Sequence, residues 1–389
     1  MGEAPGDVVV ITNHFMNSRR RANIHWLVRE FARRGWRVRV LVTGMSRLAR
    51  LRGDRRAAYL LPEMRRGFQA VAPDIHQSCL FTTFHPFNAR HALANSALAP
   101  FARIYPKLAL HAAAREAARS ADIVMFESGL PLLFVDEVAR LNRTARLIYR
   151  VSDDVRHLRC HPAVVRAEEA HASKFDCISV VSETLVPRFE GCAQVLTHPQ
   201  ALALDVLSRP FESPYPERAP GVLRLLSVGS SFFDYPALRS VIEGMPDHQL
   251  YVVGQLKGTV ASARNVRCLG ELAFEDTLAY MAHCDVALAL YDDRIVNESL
   301  AQSSSKIAQY LYFAKPVVTT GRVARASSAP GLIGYDDATP EALADAVTRA
   351  TALIGTLPSR EPAVTWEGMV DEMLDSVDRR SEENATPLV

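Results

Sequence analysis

Hydrophobic and polar positions follow one another along the chain in a repeating order of short apolar runs and helical stretches. The first apolar run, residues 8–11, ends in a polar turn, and residues 22–34 then place apolar side chains at the i, i+3, i+4 and i+7 spacing of an amphipathic helix. Gly35 is placed to end that helix, and residues 37–42 form the next apolar run. The order predicts a strand–helix–strand unit with parallel strands.

The same alternation returns twice along the chain. Further strands of the first series are predicted at 122–126, 146–149 and 177–181. A second series is predicted at 223–228, 248–253, 266–269, 285–290 and 316–320. Strands that alternate with helices predict α/β architecture, here two doubly wound, Rossmann-like domains.

The length of 389 residues also favours two domains, since a single core seldom grows that large. Residues 208–221 contain four prolines, which indicates a linker. The predicted organisation is an N-terminal domain, a linker, a C-terminal domain and a polar tail, at 1–205, 206–221, 222–375 and 376–389.

Composition narrows the class of protein. Hydrophobic residues make up 48% and charged residues 23%, the balance of a globular protein with a large core. No apolar run approaches the ~18 residues of a membrane span, and no signal peptide is visible at the start. The six cysteines form no C-x-x-C pair, so we expect reduced thiols in a cytoplasmic protein.

Charge is distributed unevenly between the two halves. Residues 1–150 hold 24 Lys and Arg against 11 Asp and Glu, a balance of +13, which leaves 21 against 32, or −11, for the rest. A basic first half predicts an anionic partner, which on charge alone is a substrate, a lipid surface or a nucleic acid.

Ligands of doubly wound sheets bind at the carboxyl ends of the strands, and with two domains we expect the site in the cleft between them. The loop after the first strand carries Arg20, Arg21 and Asn23. Arginine forks at a helix start suit phosphate or carboxylate, whereas the alternative is a solvated charge run. His85 lies in another polar segment, either a substrate loop or a turn.

Carboxylates follow two of the predicted strands. Glu127 is either a base or a helix cap, and the pair Asp153 and Asp154 is either a general base with its neighbour or an N-cap pair. We expect the charge of Asp154 to raise the pKa of Asp153. A divalent-metal site at this pair, or at Asp292 and its neighbour, is the weaker interpretation because no further ligand has suitable spacing.

A serine-rich helix start in the second half predicts a phosphate cradle. Ser305 and Lys306 lie where N–H groups, the helix dipole and an ammonium can meet a diphosphate, although an ordinary capped helix is the alternative. Gly229 ends a predicted strand and allows close approach to phosphate. The sequence has no GxGxxG motif, no P-loop and no histidine metal motif, so no metal or cofactor is expected.

Four segments resemble one family. Residues 20–25, 83–88, 123–129 and 149–153 are similar to the xanthan-type β-glucuronosyltransferases, glycosyltransferase family 70, and the resemblance runs from about residue 8 to about residue 320. It implies a GT-B fold and an inverting, metal-independent transfer of glucuronate from UDP-glucuronate to a lipid-diphosphate-linked oligosaccharide at the inner membrane.

The resemblance also implies roles for individual residues. The family's catalytic base falls on Asp153, and its nucleotide contacts fall on Ser231, Glu271, Tyr291, Lys306 and Gln309. Ser231 departs from the family, which has a bulkier Met there, and residues 198–200 depart from a His-Gly-Val pattern. To these we add Ser305 and Gly229 for the nucleotide, and Arg20, Arg21, Asn23, His85 and Glu127 for the sugar or acceptor.

Two alternatives remain open at this level. One is a GT-B transferase that uses another nucleotide sugar, such as UDP-glucose or GDP-mannose. The other is a non-catalytic binding or scaffold protein of a polysaccharide assembly complex. The expected partners are the donor, the acceptor and an anionic membrane surface, met peripherally through the basic half and residues 97–114, with no nucleic acid.

Overall fold

The computed structural model describes residues 5–192, 194–229, 233–254, 262–294 and 298–385. The chain divides into two compact units. The first unit comprises Met1–His198 and Trp366–Val389, and the second comprises Pro199–Thr365. Each unit contains its own sheet, with helices packed against it.

The first sheet has eight strands. They are β1 (Asp7–Thr12), β2 (Arg37–Val42), β3 (Gln69–Ala72), β4 (Ile75–Cys79), β5 (Ile123–Glu127), β6 (Arg146–Val151), β7 (Cys177–Val180) and β8 (Val195–Thr197). Their order across the sheet is β3-β4-β2-β1-β5-β6-β7-β8. All neighbours pair in parallel except β3 and β4, and the register sets Val8 opposite Val38 and Ile123.

Helices connect these strands. They are α1 (Asn23–Arg33), α2 (Arg47–Leu51), α3 (Ala92–Ala109), α4 (Ala112–Ser120), α5 (Val135–Leu141) and α6 (Pro162–His171). Short 3₁₀ turns occur at Arg55–Tyr59, Pro62–Arg65, Leu130–Phe134, Ala172–Lys174 and Glu183–Phe189. The central strands β1 and β5 are buried along their whole length, as expected of parallel strands covered on both faces.

The second sheet has six strands, all parallel. They are β9 (Arg224–Val228), β10 (Gln249–Val253), β11 (Val266–Gly270), β12 (Val286–Ala289), β13 (Val317–Thr320) and β14 (Leu332–Tyr335), in the order β11-β10-β9-β12-β13-β14. The helices of this unit are α7 (Leu204–Leu207), α8 (Tyr235–Gly244), α9 (Phe274–His283), α10 (Leu300–Ser303), α11 (Ser305–Tyr312), α12 (Gly321–Arg325) and α13 (Pro340–Thr351).

The ten strands and the first helix predicted from periodicity are confirmed, with ends shifted by a residue or two. Four strands were missed: β3, β4, β8 and β14. β4 has the sequence Ile75-His76-Gln77-Ser78-Cys79, and its polar side chains do not form the apolar run by which the other strands were predicted. Gln77 and Ser78 are nevertheless fully buried. The Ser78 hydroxyl donates to the Met64 carbonyl at 2.9 Å, so burial of polar groups here depends on tertiary partners.

The boundaries at the C-terminal end differ from the prediction. Instead of a domain that ends at 375 and a polar tail, the chain forms helix α14 (Trp366–Ala385), which packs with the first unit. Arg34 donates to the Glu367 carbonyl at 2.8 Å, and Arg33 lies 3.0 Å from the Glu367 carboxylate. More than 330 residues separate the partners of these contacts, so local sequence patterns could not predict them.

The proline-rich segment also differs from the prediction, because it packs against the second unit. The first unit ends at His198, and 199–221 lie in the second unit. Tyr215 is buried, its hydroxyl donates to the Tyr280 carbonyl at 2.9 Å, and its ring packs edge-on against Tyr251. Aromatic side chains therefore anchor a segment whose prolines suggested only a linker.

Candidate active site

The carboxyl ends of β1, β5 and β6 bring a group of polar side chains together in the first unit. Glu127, the last residue of β5, is only 4% exposed. The Thr12 hydroxyl donates to its carboxylate, and the Ser152 hydroxyl lies 3.4 Å away. His14 Nε2 is 3.8 Å from the same carboxylate. Adjacent strand ends thus surround one buried acid with donors.

Asp153 follows β6 and is the second acid of this group. Its backbone N–H donates to Ser128 Oγ at 3.2 Å, and its side chain is accessible to solvent. Desolvation by the surrounding protein, and then the negative charge of Glu127, raise the pKa of Asp153 to about 7, against the opposing charge of Arg150. An accessible carboxyl group with this pKa can accept a proton near neutral pH.

A fully buried arginine lies beneath the two acids. Arg150 donates to Ser179 Oγ at 2.6 Å and to the His198 carbonyl at 3.3 Å. Burial lowers the pKa of Arg150 to about 10, so it remains a cation at neutral pH. His198 Nδ1 lies 2.8 Å from Ser179 Oγ, and Nε2 lies 3.2 Å from Glu372 of α14. A chain of contacts therefore ties the end of β6 to the C-terminal helix.

The role expected of Asp154 is wrong. Asp154 is buried, accepts bonds from Arg156 at 2.6 and 3.0 Å, and contacts Arg188 at 2.9 Å. The Arg156 and Arg188 contacts outweigh the burial that opposes them, and they hold the pKa of Asp154 below its usual range. Glu127, not Asp154, supplies the negative charge that helps to raise the pKa of Asp153.

The two predicted arginines in the loop before α1 have different environments. Arg21 donates to the carbonyls of Met16 and Ser18 at 3.0 and 2.7 Å, so its guanidinium holds the loop. The Arg20 side chain is exposed, and Asn23 is the first residue of α1. His25 is buried and accepts the Ala22 N–H at 3.0 Å, so a histidine caps this helix.

His85 lies in a different group of the first unit. Its Nδ1 is 3.1 Å from Ser46 Oγ, and it lines a cavity with Arg52 and Phe87. None of the contacts described for His85 involves Glu127 or Asp153. Of the residues predicted for sugar or acceptor binding, His85 and Glu127 therefore lie in separate groups.

The second unit brings three of the predicted nucleotide residues together after β12. The Tyr291 hydroxyl lies 2.6 Å from Ser304 Oγ, and Lys306 Nζ lies 4.2 Å from the centre of the Tyr291 ring. Ser304 caps α11 by accepting the Ile307 N–H at 3.3 Å, which makes Ser305 the first helical residue. Burial lowers the pKa of Lys306 to about 8. An ammonium and free helix N–H groups suit a phosphate.

The remaining nucleotide residues lie at strand ends or on this helix. Gly229 follows β9 with φ of 86°, a backbone conformation that favours glycine, and Gly254 lies in van der Waals contact with its backbone. Glu271 directly follows β11, and Gln309 lies one helical turn after Ser305. Ser231 lies outside the described residues, so its predicted contact stays a prediction.

Asp292 is paired with an arginine. Arg294 binds both of its oxygens, at 2.8 and 2.7 Å. Within the part of the chain that the structure describes, no three His, Cys, Asp or Glu side chains lie together as metal ligands.

Several members of the site were missed from the sequence. Thr12 and His14 belong to a predicted turn, Arg150 to a predicted strand, and His198 to a loop that departs from the family pattern at the two residues after it. The position of Arg150 inside the apolar strand β6 could have indicated a polar site, because a buried arginine requires buried partners. Thr12 and His198 carried no such signal.

Sequence comparison supports the resemblance. Residues 10–181 match the family model of the glucuronosyltransferase GumK N-terminal domain. The first half is therefore similar to the N-terminal domain of GumK-type glucuronosyltransferases. The whole chain is 28% identical over 375 residues to a UDP-glucuronate:glycolipid 2-beta-glucuronosyltransferase of Xanthomonas campestris pv. campestris, over 94% of this chain and 89% of that protein. The matches confirm the predicted resemblance and support a GumK-type glucuronosyltransferase.

Structural comparison confirms the GT-B fold. An E. coli structure described as trehalose-6-phosphate with bound UDP-2-fluoro glucose aligns with a TM-score of 0.58 and 11% identity, over 98% of this chain and 99% of that one. HepE of Anabaena, in complex with UDP and glucose, aligns with a TM-score of 0.56 and 13% identity, over 95% and 100%. Among the described residues no helix is both long and apolar enough to cross a bilayer.

Proposed function

We propose that the GumK-type chain transfers glucuronate from UDP-glucuronate to a lipid-diphosphate-linked oligosaccharide, as part of bacterial exopolysaccharide synthesis. The observation that carries the proposal is Asp153, an accessible carboxyl group with a pKa of about 7 at a strand end of the GumK-type domain. The curated relative from Xanthomonas campestris bears the corresponding name. The first unit binds the acceptor, and the second binds the donor.

Asp153 acts as the general base. It removes the proton from an acceptor hydroxyl while the oxygen forms a bond to the anomeric carbon of glucuronate, and the bond from that carbon to the UDP oxygen breaks. The products are the glucuronosylated acceptor, UDP and protonated Asp153. A single displacement of this kind inverts the anomeric configuration.

Lys306 and the start of α11 stabilise the UDP leaving group. The ammonium and the exposed N–H groups of this helix meet the charge that develops on the β-phosphate. We propose that this cationic site serves in place of a divalent metal. Turnover in EDTA equal to turnover in Mg²⁺ is the expected result, and activity that EDTA abolishes and Mg²⁺ or Mn²⁺ restores contradicts it.

Peripheral membrane contact is proposed for α3. Leu93, Ile104 and Leu108 are 76%, 51% and 63% exposed, and their spacing places them along one side of the helix, beside Arg103 and Lys107. Apolar side chains flanked by cations suit an anionic bilayer surface. Tyr105 faces the core instead. Flotation with anionic liposomes at low salt tests this, and equal recovery on neutral liposomes counts against it.

The decisive experiment is a donor screen with the purified protein. UDP-glucuronate, UDP-glucose and GDP-mannose are each incubated with lipid-linked acceptor, and nucleotide release and glycolipid product are both measured. We expect product from UDP-glucuronate. Product from another donor alone indicates the rival GT-B transferase, and binding without product from any donor indicates the scaffold alternative.

A further inference from the structure

A cavity with charged and polar residues in its wall lies in the first unit, separate from the Asp153 group. It lies between the loops that follow β2 and β4 and has a volume of about 330 Å³. The residues of its wall that carry charge, hydrogen-bonding groups or an aromatic ring are Ser46, Arg52, Asp54, His85 and Phe87.

Arg52 carries the net positive charge of this cavity. Its guanidinium lies over the Phe87 ring, 5.4 Å from the ring centre, and forms no hydrogen bond or ion pair with the described part of the chain. Asp54 also lines the cavity, but Arg56 contacts both of its oxygens at 2.8–3.2 Å. The wall carboxylate is therefore neutralised, and the Arg52 fork remains available for an anion.

His85 supplies a neutral donor beside Arg52. Ser46 Oγ accepts the Ala49 N–H at 3.1 Å, so its own hydroxyl can donate to His85 Nδ1, also at 3.1 Å. Burial and the charge of Arg56 lower the pKa of His85 to about 4. The imidazole is then neutral with its hydrogen on Nε2, which has no partner within the described ranges.

The position of the cavity in the sheet relates it to the candidate base and to α3. β2 is three strands from β6 in the sheet, which corresponds to about 14 Å at the usual strand spacing. The Phe84 ring, next to His85, lies 4.2 Å from the Phe101 ring of α3. The loop that holds His85 therefore packs against the helix proposed to contact the bilayer.

We propose that this cavity binds the diphosphate of the lipid-linked acceptor, with the Arg52 guanidinium and the His85 Nε2–H donating to phosphate oxygens. The inference rests on the proposed function. A separation of about 14 Å exceeds one sugar ring, so the hydroxyl that reacts at Asp153 belongs to a sugar beyond the one joined to the diphosphate.

The test compares two acceptors in detergent at saturating UDP-glucuronate. One is the prenyl-diphosphate oligosaccharide, and the other is the same oligosaccharide as an alkyl glycoside without phosphate. Arg52→Gln should raise KM for the diphosphate acceptor about 10- to 150-fold, the loss expected for a charged hydrogen bond, and leave kcat/KM for the glycoside unchanged. Arg55→Gln, an exposed neighbour that does not line the cavity, is the matched control.

The outcomes separate the inference from the proposed function. If wild type uses the glycoside and Arg52→Gln affects both acceptors equally, the diphosphate site is wrong and Arg52 maintains the loop. If Arg52→Gln and Arg55→Gln weaken the diphosphate acceptor and anionic-liposome binding alike, general surface charge explains the effect and the site is wrong. If wild type glucuronosylates neither acceptor, the proposed function fails and the inference fails with it.

Discussion

The two units place different chemistry at the same structural position, the carboxyl ends of a parallel sheet. In the first unit, desolvation and the negative charge of Glu127 raise the pKa of Asp153 to about 7, against the opposing charge of the buried Arg150. In the second, Tyr291, Ser304 and Lys306 form a cationic helix start. The same architecture therefore presents groups suited to proton transfer in one unit and groups suited to charge neutralisation in the other.

Asp153→Asn should cause the largest loss of turnover, because it removes the proposed general base. We expect turnover to fall by roughly 10²–10⁴-fold with UDP affinity unchanged. Product formation and UDP calorimetry measure the two effects. Near-normal turnover in this variant would remove Asp153 from the mechanism and make Glu127 the next candidate.

Asp154→Asn changes the carboxylate next to Asp153, but we expect it to reduce the stability of the fold rather than turnover. It leaves Arg156 and Arg188 without their partner, and loss of a buried ion pair costs roughly 3 kcal/mol of unfolding free energy. Because the folded pKa of Asp154 is depressed, its contribution is present above the unfolded pKa and is lost as pH falls through the folded one. Denaturant unfolding at pH 7 and at acid pH tests this, and unchanged stability contradicts it.

Lys306→Met tests the cationic helix start of the second unit. We expect UDP affinity to fall about 10- to 150-fold, the equivalent of one charged hydrogen bond, whereas Lys315→Met should bind as wild type does. In wild type, UDP affinity should decline as pH rises above about 8, since Lys306 loses its proton there. Unchanged affinity in Lys306→Met means that the ammonium does not contact the diphosphate.

Arg20→Ala tests whether the first unit also binds the carboxylate of the donor sugar. A guanidinium that binds the glucuronate carboxylate has no equivalent contact with UDP-glucose, so the preference for UDP-glucuronate should fall about 10- to 150-fold. Arg19→Ala is the control for surface charge. Arg21→Ala should reduce activity with both donors through the loop that Arg21 holds. Equal losses with both donors in Arg20→Ala exclude carboxylate recognition.

Glu127→Gln should give the smallest change, a shift of the pH profile. Removing the like charge lowers the pKa of Asp153, so the acid limb of kcat/KM moves to lower pH. Gln retains an oxygen acceptor for the Thr12 hydroxyl, and Glu116→Gln on the surface is the control. An acid limb at the wild-type position means that Glu127 does not influence the base.

Local sequence patterns predicted the strands that carry the site. β1, β5 and β6 are apolar runs followed by polar turns, and the cap at Ser304 belongs to a serine cluster that is visible in the sequence. These features depend on residues within one or two turns of each other, which is the range that periodicity and capping report. The sequence therefore determined two α/β series with Asp153 and Lys306 at strand or helix ends.

Tertiary structure decided the electrostatics of those residues. Asp153 and Asp154 are adjacent in sequence, yet one lies near Glu127 while the other is bound by Arg156 and Arg188. Thr12 reaches Glu127 across 115 residues, and His198 reaches Glu372 across 174. Hydrogen-bond partners and desolvation arise from such distant pairs, so a sequence can place an acid at a strand end but only the packed fold sets its pKa.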